Sequence, residues 1–308
     1  MNQRDDLSTI RRRRRAGPFG GLAGRAAMAV TVLAGGAVAL AGVTSAGASA
    51  RAQSGPQRGG VYRTAVSSFG FTDNLDPVGE TQVGNAYAIY DATLRTLVGF
   101  KHIDGTAGEV LVPDLATSLP SPTDNGLVYT FHLKSNIRWA PPVNREITSS
   151  DVAYAFKRLN DVNLAAEYPY YYTGVIQGIT GAAKSLDNDV SGITTPNPTT
   201  IVFHLVRPTG DFLRRIAMPA AAPVPPEVAK CFTQAGTYGR DLISSGPYMI
   251  LGSAQLNISS CKTIKPLSGY DPTTHLTLVR NPNYVPSTDT TRANYVNAIE
   301  IGVDPNVS

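Results

Sequence analysis

Ile147-Thr-Ser-Ser-Asp-Val-Ala-Tyr-Ala-Phe-Lys-Arg158 is the stretch on which the fold turns. Thr148 followed three residues later by Asp151 matches a capping box, with Asp in place of the usual Glu. Val152, Ala155, Phe156 and Leu159 then recur at i, i+3, i+4 and i+7, the apolar stripe of a helix that buries one side. Period-two segments flank it. Upstream, the turn Ser121-Pro-Thr-Asp-Asn-Gly126 leads into Leu127-Val-Tyr-Thr-Phe-His-Leu133, apolar at 127, 129, 131 and 133. Downstream, Asn197-Pro-Thr-Thr200 leads into Ile201-Val-Phe-His-Leu205. Both read as half-buried strands after a turn. A helix between two such strands makes this a mixed α/β chain.

Further out, Val61 to Val66 reads as a strand and Gln82 to Leu97 as a helix, with Tyr87, Tyr90, Leu94 and Leu97 at helical spacing. A short helix is expected over Asp211 to Met218, ended by the proline-rich Pro219 to Pro226. Ser244 to Ile250 is a turn feeding a strand, Leu276 to Val279 is another strand, and Ala298 to Val303 a third. That last strand is expected to lie exposed at a sheet edge, where unpaired backbone is an aggregation liability.

The first fifty residues differ from the rest. Arg11 to Arg15 precede an uncharged run from Ala26 to Gly42, and Ala48-Ser49-Ala50 fits a signal-peptidase site. A basic segment, an apolar core and small residues at a cleavage point make a secretory signal. The alternative is an uncleaved membrane anchor, the run being just short of a bilayer core. Val43 stands where a lipoprotein would carry its acylated cysteine, so lipid attachment there is closed. The chain has 27 basic and 23 acidic residues and a pI near 9.0. Removing the seven Arg and two Asp of residues 1–50 leaves 20 and 21, a net charge of −1. The basic pI thus belongs to the targeting segment and gives no support for nucleic-acid binding.

The two cysteines, Cys231 and Cys261, both follow the signal. In an oxidising compartment they should pair; the other readings are two free thiols or a metal pair, for which no His or Cys lies near in sequence. The histidines, at 102, 132, 204 and 275, show no ligand spacing. No G-x-S-x-G, H-E-x-x-H or P-loop occurs. Ser259-Ser-Cys-Lys262 matches S-x-x-K, but in a polar loop rather than at a helix start. Asp73, Asp76 and Glu80 lack the order of a calcium loop and read as solvated turn residues. Glu167 to Gly174 holds four tyrosines in five positions. Such rings suit a groove accepting varied ligands, or pack over a neighbouring helix.

Taken in order, these segments resemble the extracellular solute-binding proteins of family 5, the peptide, oligopeptide and nickel receptors of ABC importers. The resemblance rests on Asn74-Leu-Asp-Pro77, Val112-Pro-Asp-Leu-Ala116, Asn125 to Lys134, Ile147 to Arg158, Ser245-Gly-Pro-Tyr248 and Arg280-Asn-Pro-Asn-Tyr284. As local chemistry these motifs look structural, with Asp151 a cap, Gly246-Pro247 a turn and Arg280 a candidate partner for a carboxylate.

The resemblance implies a periplasmic-binding-protein-like α/β fold of type II with the second lobe missing. Residues 1–50 would be the signal, and 51–100 the first part of domain I in lobe 1. Residues 101–226 would form an inserted domain II, and 227–308 the return to domain I, truncated before the second lobe. It implies an exported, monomeric, non-enzymatic receptor without cofactor or metal, working at the cell surface or in the periplasmic space. Its ligand would be a peptide or similar solute, passed to ABC permease subunits. Ligand contacts from this lobe match best to Ser67, Ser68, Phe69, Gly70 and Phe71, with Tyr171 as a further candidate. The alternatives are an inactive truncated fragment of such a receptor and, lower still, an exported hydrolase.

Overall fold

The computed structural model describes residues 56–69, 75–79, 84–167 and 169–307. The export signal, Gly70, Phe71, Asp73 and Glu80 lie outside the described residues. The strands are β1 (Val61–Val66), β2 (Val98–Phe100), β3 (Leu111–Pro113), β4 (Val128–His132), β5 (Ile193–Asn197), β6 (Thr200–His204), β7 (Tyr248–Ile250), β8 (Tyr270–Asp271), β9 (His275–Arg280) and β10 (Ala298–Val303). The α-helices are α1 (Gly84–Thr93), α2 (Ser149–Asn160), α3 (Phe212–Ile216) and α4 (Pro226–Ala229).

The capping stretch folds as its residues require. The Thr148 backbone N–H donates to Asp151 Oδ2 at 2.8 Å, and the reciprocal arm of the capping box is also present. Val152, Ala155, Phe156 and Leu159 are all buried. They face the sheet β4-β6-β5, in which both pairings are antiparallel. Phe203 of β6 sits at the centre, edge-on to Phe131, Phe156 and Phe212 at 5.7, 5.2 and 5.6 Å. Offset and edge-on rings of this kind add to simple area burial.

The larger sheet has the order β1-β10-β9-β7, with β8 also on β9. The exposed edge expected at Ala298–Val303 is overturned here. β10 runs parallel to β1 on one side and antiparallel to β9 on the other, so its backbone groups are paired on both sides. The end position falls to β1, whose residues are mostly exposed.

The helix expected over Gln82 to Leu97 stops at Thr93. The carbonyl of Thr93 accepts from the N–H groups of Ser245 and Gly246 at 2.9 and 2.8 Å, and Arg95 N–H donates to Ser245 Oγ. A Cβ on Gly246 would lie 2.8 Å from the Thr93 carbonyl carbon, so only glycine permits this approach. Leu94 and Leu97 remain buried, but outside the helix. Residues 98–100 and 111–113 instead form the small antiparallel pair β2-β3.

Two other expectations change. Asp76 is not solvated: it forms an ion pair with Arg158 at 2.7 Å, both side chains fully buried. Arg280 pairs with no carboxylate among the described residues and donates to the carbonyls of Val296 and Tyr295. Cys231 and Cys261 are bridged, their Cα atoms 5.2 Å apart.

Candidate functional site

Helix α1 buries Ala86, Ile89 and Tyr90 and turns Tyr87, Ala88 and Asp91 outward. Along its flank run three pockets that share residues and so form one groove. The first, about 310 Å³, lies between α1 and the sheet, walled by Thr64, Val66, Phe69, Leu278, Ile299 and Ile301. The middle one, about 260 Å³, shares Tyr62, Ala88, Ala92 and Ile299 with it and adds Asp91, His102, Tyr248 and Arg292. The third, about 290 Å³, shares Asp91, His102 and Arg292 and is closed by Tyr87, Phe100, Arg214, Met218 and Pro219. Concave, mainly apolar walls with a few polar groups are what small ligands need.

The floor is held by a buried charge cluster. Arg95 Nε reaches Asp114 Oδ1 at 2.7 Å, and Arg292 reaches Asp114 at 2.9 Å and Asp289 at 3.1 Å. These side chains are at most 7% exposed. Burial alone would raise the Asp289 carboxyl, but the guanidinium groups of Arg292 and Arg95 outweigh it and hold it below the usual carboxylate range. Lys134 Nζ and Arg95 both donate to the Thr288 carbonyl. The cluster thus joins the end of α1 to residues 288–292. At its rim, His102 Nε2 lies 3.0 Å from Asp91 Oδ1, and this hydrogen bond raises the imidazole pKa above its ordinary value.

Of the sequence-expected residues that are described, Phe69 lines this groove, while Ser67, Ser68 and Tyr171 are not among the residues lining its three pockets. Ser67 and Ser68 are exposed just beyond β1. Phe69 is buried, lines the first pocket and meets Tyr270 edge-on at 5.9 Å. Tyr171 is half-buried, tilted against Tyr170 at 4.8 Å, with the Arg215 guanidinium 5.7 Å from its ring. Tyr172 packs edge-on against Phe156 of α2, the helix-packing role weighed for this tyrosine run, and its hydroxyl donates to the Arg215 carbonyl. Tyr171 therefore stands beside α3, whose Arg214 closes the third pocket. Ser259 and Ser260 bond with Thr263 in an exposed loop. Tyr87, Asp91, His102, Arg214 and Arg292 escaped the sequence reading. Only Tyr87 carried a signal, its place on the helical stripe; the others come together from separate elements.

Some of the recognition motifs prove to be one another's partners, and another reaches residues outside the set. Asp76 of the Asn74–Pro77 turn meets Arg158 of α2. Asp114 of the Val112–Ala116 segment holds Arg95 and Arg292. Asn281 donates from its side chain to the Gly246 carbonyl at 2.9 Å, linking the Ser245–Tyr248 and Arg280–Tyr284 segments.

Comparison with known proteins gives a consistent set. The model for bacterial extracellular solute-binding proteins, family 5 Middle, matches residues 110–307. The Dipeptide-binding protein of Escherichia coli K12 is 27% identical over 199 residues, which are 62% of this chain and 34% of that protein. Periplasmic oligopeptide-binding protein OppA of Salmonella typhimurium is 29% identical over 126 residues, 40% of this chain and 23% of its own length. Among solved structures, Clavulanic acid biosynthesis oligopeptide binding protein 2 is 30% identical with a TM-score of 0.67, covering 80% of this chain and 40% of that one. Listeria monocytogenes OppA bound to peptide is 20% identical with a TM-score of 0.61, covering 82% and 43%. The chain thus spans about a third or less of the curated relatives and about two fifths of the solved structures.

Proposed function

The chain belongs to family 5 of the bacterial extracellular solute-binding proteins, and on that premise we propose that it supplies one wall of a peptide-binding cleft serving an ABC importer. The observation that carries this reading is the fold likeness to an oligopeptide-binding protein at 30% identity over 80% of this chain. The groove along α1 supports it, since it offers apolar walls and charged rims on the scaffold these receptors share. The family supports a role in binding rather than catalysis.

In this reading residues 51–100 and 227–308 form domain I, and 101–226 the inserted domain. The protein acts as a monomer outside the cytoplasm and hands its solute to permease subunits. Ser67, Ser68 and Tyr171 contact the ligand beside the groove and Phe69 shapes its wall, with Gly70 and Phe71, outside the described residues, expected to join them. One wall alone desolvates a ligand incompletely, so affinity should be modest.

The test is to titrate the purified chain with a peptide mixture and identify what is retained by mass spectrometry. Retention of a defined peptide subset supports the proposal. No retained peptide would sink the idea of an autonomous receptor and leave the second reading, a fragment without its own affinity, as the better one.

A further inference from the structure

The third pocket differs from the rest of the groove in how its charges are balanced. Its walls are apolar, from Tyr87, Tyr90, Leu94, Phe100, Met218 and Pro219. Four charged or titratable groups also line it. Arg292 is held by Asp114 and Asp289, and Asp91 is held by His102 with Arg292 beside it. Arg214 is the exception. Its neighbour Arg215 takes Asp211, the nearest carboxylate in sequence, at 3.0 Å. Arg214 has no ion-pair partner among the described residues; its guanidinium lies over the Phe100 ring, 5.7 Å from the centroid. A cation resting on an aromatic face is positioned without being neutralised. Its planar fork of N–H donors remains free for an anion, and carboxylate geometry suits it best.

We propose that this pocket selects an apolar group bearing a carboxylate, with Arg214 as the specificity-determining contact. At about 290 Å³ the pocket sits near the lower bound of ligand sites, room for one side chain rather than a whole peptide. An aromatic ring fits the walls of Tyr87, Phe100 and Met218, and the carboxylate then reaches Arg214 at the α3 side. Asp91, the carboxylate of the same pocket, is engaged by His102 at 3.0 Å and Arg292 at 3.8 Å and forms no ion pair with Arg214 among the described residues. This deepens the peptide reading and rests on it only for the source of the carboxylate: a peptide presenting such a group, or a free small acid.

The experiment titrates the purified chain with 3-phenylpropanoate, its amide and the dipeptide Ala-Phe, following binding by calorimetry and amide NMR shifts. The acid should bind about tenfold or more tightly than the amide, the strength of one charge-assisted contact. Arg214→Gln, an exposed position whose change leaves the fold intact, should erase that preference and leave the amide unchanged. Met218→Trp, which fills the pocket, should weaken both. Equal affinities for acid and amide, a preference that survives Arg214→Gln, or no binding of either compound overturns the proposal. Arg214-dependent binding of Ala-Phe identifies a peptide source. Arg214-dependent binding of phenylpropanoate without Ala-Phe keeps the pocket and removes the peptide reading.

Discussion

Arg158 is enclosed on every side. It donates to Asp76 at 2.7 Å and to the carbonyls of Ala229 and Phe232, and its guanidinium lies 5.2 Å from the Tyr238 ring centroid. Truncating one partner of such a pair strands the other charge in a medium that cannot solvate it. Arg158→Met should therefore cost roughly 3–5 kcal/mol, read as a fall in the urea midpoint. Asp241 makes the opposite case. It is 2% exposed, Oδ1 has no hydrogen-bond partner, and burial pushes its carboxyl up to about 7. The folded state prefers the proton on Asp241, so the contribution of this residue to stability is most favourable below about pH 4, the unfolded value, and is lost as pH rises through about 7. Asp241→Asn should flatten that slope and stabilise the protein at neutral pH by up to a few kcal/mol, checked by urea unfolding across pH 4 to 8. Neither state was legible in the sequence. Asp76 looked like one of three turn acids because its partner lies 82 residues away, and nothing beside Asp241 marks it as buried.

The elements with strong local signals were legible, among them β1, β10 and α2. Their apolar periods and the Thr148–Asp151 cap need no distant partner to be read. Where tertiary contacts overrode propensity, the reading failed. The stripe over Gln82–Leu97 remains apolar, yet Ser245 and Gly246 take the carbonyl of Thr93 and end the helix. Strand β10 was expected at an edge because the resemblance implies a lobe incomplete at its C-terminal side; pairing with β1, at the far side of the sequence, covers it instead. The segment Thr237–Asp241 shows how tightly elements interlock. A Cβ on Gly239 would fall 2.2 Å from Leu75 N and 2.6 Å from Asp76 N, closer than backbone can tolerate. Gly239→Ala should therefore force the segment away from the Asp76 turn and loosen the Arg158 ion pair with it. The expected loss is about 3 kcal/mol or more, measurable by chemical denaturation, with Gly210→Ala as a control because its Cβ meets nothing.

Across the whole molecule, the cysteine pairing was legible because two cysteines allow one partner each; the groove was not, because α1, β1, β2, β9, β10 and α3 all contribute to it. The Cys231–Cys261 bridge closes a loop of 30 residues, for which chain entropy gives about 3.5 kcal/mol. Alkylation without reduction should add no label, and reduction should lower the urea midpoint by a corresponding amount. The pairing of β1 with β10 reaches further. Arg63 meets Glu300 across that pair at 2.8 Å, from 237 residues away. The edge strand of the sheet thus waits on a segment 237 residues further along the chain, and contacts so distant in sequence form slowly. During synthesis β1 has no strand to lie beside until residue 303 has emerged. Pulse-labelled protease protection should show β1 acquiring resistance only in nascent chains that extend past β10.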